Sequence, residues 1–142
     1  MFKKGFTLIE LLVTIAVIAV IAAAVLVALD PVDKINAAND SRVQADLGQV
    51  GTALVTYATS HDGLYLAGTA WGDLSALTAS GDLTRVPTAP STVYTYGFTG
   101  TTASARVWSN LMSKKYTAAP FWVWCSSSGA ANTASAATAC PP

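Results

Sequence analysis

Charge is scarce in this chain of 142 residues: 11% of it is Asp, Glu, Lys or Arg, and eight acids balance eight bases. Soluble domains average about 25% charged residues. So few cations, with no net charge, exclude the large basic face of a dedicated nucleic-acid binder. One histidine, one glutamate and two cysteines leave little material for the converging acid, base and thiol groups of an enzyme site. Disorder is excluded from the other side, because 52% of the chain is apolar. That surface must be buried in a core, a membrane or a polymer.

Much of it lies in one run. Leu11 to Leu29 reads LLVTIAVIAVIAAAVLVAL, nineteen residues without a charge. As a helix it is ~28 Å long, close to the hydrocarbon thickness of a bilayer. Lys3 and Lys4 precede it, and Asp30, Pro31 and Asp33 follow. The positive-inside rule places the N-terminus in the cytoplasm and residues from 30 onward outside. A cleaved secretory signal fits the basic start and Ala22-Ala23-Ala24, but its apolar core is shorter than this run. A plain membrane anchor fits length and orientation. Neither gives a reason for Glu10, the only glutamate, at the head of the run.

The stretch Lys3-Lys4-Gly5-Phe6-Thr7-Leu8-Ile9-Glu10 resembles the class III signal of type IV prepilins and pseudopilins. The resemblance implies a leader of residues 1–5, cut by a prepilin peptidase between Gly5 and Phe6, and N-methylation of Phe6. It implies that residues 6–29 stay as a membrane helix and later form a filament core. Glu10 would then pair with the Phe6 ammonium of a neighbouring subunit and set the assembly register. Two simpler roles stay open for Glu10: snorkelling to the headgroups, or an intrachain contact with Phe6 one turn away. Ala16, Ala19 and Ala23 form a row of small residues that would let helices approach closely.

Pro31 lacks an amide hydrogen and predicts a helix break, with Asp30 and Asp33 at the positive end of a renewed helix. Across residues 30–62, Ile35, Val43, Leu47, Val50, Leu54 and Tyr57 recur by threes and fours, the pattern of an amphipathic helix. Lys34, Asp40, Arg42 and Asp46 fall mostly on other faces, and Gly63 is the expected C′ residue. His61 beside Asp62 suggests chemistry less than it suggests a helix end. Asn39-Asp40-Ser41 is a sequon inside a helix.

Residues 63–142 form the head. A short helix around Leu74 and Leu77 should stop at Gly81, and the prolines of 84–90 require a loop. Val93–Phe98, Ala105–Leu111 and Phe121–Cys125 read as three strands. Their sheet would take the amphipathic helix, giving an α+β fold of the kind pilins have. Both faces of Phe121–Cys125 are apolar, as in a central strand or in a strand with one face buried against another subunit. Cys125 and Cys140, placed outside the cytoplasm, are expected to form a disulfide; two free thiols are the alternative. The 125–140 segment reads as a disulfide loop, because Ser126–Ala139 holds no charged, aromatic or branched aliphatic residue to build a core of its own.

No cofactor or metal is expected. The head's only carboxylates are Asp73 and Asp82, too few for the six to eight oxygens that calcium takes. Major pseudopilins often bind calcium through acidic head residues, so their scarcity favours a pilus subunit over a type II secretion pseudopilin. The implied partners are other pilin subunits, the prepilin peptidase, an inner-membrane assembly platform, and lipid before assembly. The implied location is a single-pass membrane protein that becomes an extracellular surface filament. A membrane-anchored binding domain that never polymerises is the rival of a different class.

Overall fold

A computed structural model describes residues 5–140. Helix α1 spans Leu8–Leu29 and α2 spans Pro31–Ser60. Between them Asp30 adopts a left-handed conformation (φ 41°, ψ 70°), capping both helices. Pro31 is therefore the first residue of α2, where its missing amide hydrogen costs nothing and its fixed φ suits a helix start. The Asp30 carboxylate accepts from the Asp33 N–H at 3.4 Å. The expected interruption falls one residue before the proline.

No residue of α1 is buried. On α2, Val43, Leu47, Val50, Ala53, Leu54 and Ala58 are buried against the head. Ile35 departs from the expected face: it is 61% exposed, and the buried stripe of α2 begins only at Asp40. Asp40 departs the other way, with 1% exposure on the buried stripe. At the far end His61 caps α2, and both Asp62 and Gly63 have positive φ. Asp62 thus occupies the C′ position expected of Gly63.

The head opens with a 3₁₀ turn, Trp71–Leu74, and helix α3, Ser75–Ser80, which stops at left-handed Gly81 as expected. Four strands follow: β1 Tyr96–Gly100, β2 Ala105–Asn110, β3 Phe121–Cys125 and β4 Ala130–Ala134. They form an antiparallel meander in chain order. The row Phe98–Val107–Trp124–Ala131 faces α2, and Phe98, Val107 and Trp124 are all buried. Trp124 lies flat on the helix at Gly51. A Cβ there would stand 2.8 Å from the indole, so this glycine makes room for the ring.

Two expectations about the sheet need correction. Val93 to Thr95 precede β1 rather than belonging to it, and Val93 is 54% exposed. The cysteine-bounded segment is not wholly a loop. Its Ala130–Ala134 stretch pairs with β3 after a turn over residues 126–129, where Gly129 has φ 64°. With β4 in place, β3 is interior to the sheet, and Val123, Trp124 and Cys125 are buried on its two faces. The whole is an α+β fold, a long N-terminal helical segment packed through its second half on a four-stranded antiparallel sheet.

Candidate functional site

The start of α1 is built by its own sequence. Thr7 is extended and caps the helix, and its hydroxyl accepts from the Glu10 N–H at 3.3 Å. The Glu10 carboxylate returns the interaction, accepting from the Thr7 N–H at 2.9 Å and the Thr7 hydroxyl at 2.7 Å. This is a capping box, written in the sequence as Thr-x-x-Glu but missed by a reading fixed on Glu10 alone. In the single chain, Glu10 is therefore held by Thr7.

Phe6 and Glu10 border one open concavity together with Ile9, Val13 and Thr14. Phe6 is 71% exposed. Around Gly5 there is open space where a side chain would stand, so its peptide bond is accessible. Lys3 and Lys4, with the rest of the expected leader, lie outside the described residues. Along α1 the mean hydropathy reaches 3.1 in its most apolar window, and none of that window is buried. The alanine row has no packing partner among the described residues.

The base of α1 is anchored by Asp30 and Asp33, which do more than the capping expected of them. Lys114, in the connection after β2, forms an ion pair with Asp30, and its backbone N–H donates to Asp33 at 2.7 Å. The Lys114 ammonium, and after it the Asp33 N–H, hold the Asp30 carboxyl below the usual carboxylate range. Further along α2, Asp40 accepts from the N–H groups of Met112 and Ser113, each at 2.9 Å. The Tyr94 hydroxyl donates to it as well, at 2.9 Å. No periodicity could find this carboxylate, since its partners lie 54 to 73 residues away.

Tyr96 donates to Asp46 at 2.7 Å in the same manner. Burial first, and then the facing carboxylates, push both phenols far above their ordinary pKa. A raised folded-state pKa means that this contribution to stability is complete below the unfolded value near 10. It is lost as pH climbs beyond that value. Melting temperature should thus begin to fall above about pH 10 and keep falling as far as about pH 12. Tyr94→Phe should flatten the slope while lowering stability at neutral pH; scanning calorimetry at each pH checks both.

The remaining candidates resolve locally. His61 stacks on Tyr57 with ring centroids 3.8 Å apart, and its Nδ1 contacts the Tyr57 carbonyl at 2.9 Å, a helix-end arrangement. Asp73 accepts from the N–H groups of Thr69 and Ala70, and Asp82 from the Ser80 hydroxyl. Asn39 and Ser41 sit within α2.

Cys125 and Cys140 are joined in a disulfide with a sequence separation of 15 and a Cα–Cα distance of 5.7 Å. It ties the segment after β4 back onto the sheet. Replacing both cysteines with serine should cost about 3 kcal/mol by the chain-entropy model, measured as a lower urea midpoint for the full chain in detergent.

An exposed apolar helix headed by a lone acid, set on an α+β head, fits a membrane-anchored protein of pilin-like plan. Comparison with known proteins agrees at the N-terminus. Residues 1–26 match the model of the prokaryotic N-terminal methylation motif, so the chain begins as a type IV pilin-like prepilin does. The match takes in Gly5, Phe6, Glu10 and most of α1, and leaves the head outside. No curated protein and no solved structure matches the chain.

Proposed function

We propose that this chain is the structural subunit of a type IV pilus filament, serving adhesion, motility or DNA uptake. A prepilin peptidase cuts after Gly5, Phe6 is N-methylated, and the mature chains leave the membrane by packing their α1 helices together on an inner-membrane platform. One observation carries the reading. The segment matching the methylation motif opens onto a helix that is apolar, wholly exposed and charged only at Glu10. Exposed apolar area of that extent requires lipid or copies of itself. Glu10 then exchanges Thr7 for the Phe6 ammonium of the adjoining subunit, since a carboxylate in an apolar core needs a countercharge.

The head supports a pilus subunit over a calcium-binding pseudopilin. Asp73 and Asp82 are each occupied by hydrogen bonds within their own loops. Mass spectrometry of filaments sheared from cells tests the proposal. A terminal peptide starting at N-methylated Phe6 is the expected result. A chain confined to the membrane with its Gly5–Phe6 bond intact would refute it.

A further inference from the structure

At the end of the sheet farthest from α1, a cleft of about 210 Å³ opens between the β1–β2 turn, the β3–β4 turn and the disulfide. Three of its walls come from one cross-strand row: Thr99 opposite Arg106, and Arg106 opposite Cys125. Directly paired residues share a face of a sheet, so this row lies on the side away from α2. Ser126, Ser127 and Cys140 complete the rim.

Arg106 is the unusual member. It forms no ion pair among the described residues, and no carboxylate of those residues lines the cleft. Its guanidinium lies 5.2 Å from the Trp108 ring centroid, and one terminal nitrogen donates to the Thr138 carbonyl at 3.0 Å. Its Nε is buried without a hydrogen-bond partner. The hydroxyls of Thr99 and Ser127 have no partner among the described residues either, while Ser126 accepts from the Ala105 N–H. A guanidinium anchored by Trp108 and Thr138, ringed by hydroxyls and with no carboxylate of the described residues beside it, suits an oxyanion. The volume is below the ~300 Å³ at which pockets for drug-sized ligands begin, so it fits one terminal group or one small molecule.

We propose that this cleft is an oxyanion-binding site, taking a carboxylate, phosphate or sulfate group through Arg106, with Thr99 and Ser127 as auxiliary donors. The site belongs to the folded head of one chain and does not depend on filament assembly. Its disulfide wall makes it a feature of the oxidised protein.

The test uses the full chain in neutral detergent micelles, isotopically labelled for NMR and titrated separately with glucuronate, inorganic phosphate and glucose. Glucuronate or phosphate should give saturable shifts of the Arg106 Nε–H and of the Thr99 and Ser127 amides, while glucose leaves them in place. The anion that saturates at the lower concentration identifies the source, a carboxylated sugar or a free phosphate. Arg106→Gln should weaken binding at least tenfold. Because Arg106 also holds Thr138, Ser127→Asp serves as a second variant: it sets a like charge at an exposed rim position and should abolish the shifts without altering the fold. Equal shifts with glucose, no shift with either anion, or undiminished binding by folded Ser127→Asp would overturn the assignment.

Discussion

Glu10→Gln is expected to reduce the yield of sheared filaments on the order of tenfold or more, with the processed chain still present in the membrane. Glutamine is the informative replacement because it separates two roles of one side chain. The capping box with Thr7 tolerates Gln at the same position, so the start of α1 survives. What disappears is the negative charge, and with it the countercharge for the neighbouring Phe6 ammonium. An ammonium left unpaired among apolar helices is strongly disfavoured. Quantitative immunoblots of the sheared and membrane fractions give the measurement, and an unchanged ratio would end the proposed pairing. Thr7→Val provides the converse. It removes the cap hydroxyl and leaves the charge, so it should fray the helix start yet permit assembly.

The largest effect on stability belongs to Asp40→Ala. The side chain is 1% exposed and accepts three hydrogen bonds: two from the backbone after β2 and one from Tyr94. Alanine would leave those buried donors facing a small void. Leaving a buried donor unsatisfied costs about 1–3 kcal/mol for each group, against a total of about 5–15 kcal/mol for a domain. Urea unfolding of the full chain in detergent, followed by tryptophan fluorescence, should show the midpoint falling by a third or more. Asp40→Asn keeps an acceptor for part of the cluster and should cost about half as much. A loss below about 1 kcal/mol for alanine would mean that water replaces the carboxylate.

The N-terminal part of the molecule is legible in the sequence because its information is local. Gly5, Phe6 and Glu10 stand in fixed register before an uninterrupted apolar run, and Pro31 marks the break to within one residue. The same stretch also spells a capping box, Thr7 with Glu10, which competes with any intermolecular role of the acid. The head was readable in outline only. Trp122 and Trp124 pointed to an interior strand, yet β4, whose sequence is Ala-Ala-Asn-Thr-Ala, carries no β-branched or aromatic stripe. Its pairing is imposed by the turn at Gly129 and by the disulfide beyond it. Asp40 was misplaced for a related reason. A charge on a helix reads as solvent-facing until the chain that supplies its donors, more than seventy residues later, is brought alongside.

The lack of any buried residue in α1 separates two kinds of evolutionary constraint. Substitutions along the rod leave the cooperative melting of the head untouched, because they remove no contact that holds it. Substitutions inside the head leave the rod's apolar surface unchanged in turn. Each half can drift at its own pace, and only the junction at Asp30, where Lys114 grips both helices' common cap, answers to both.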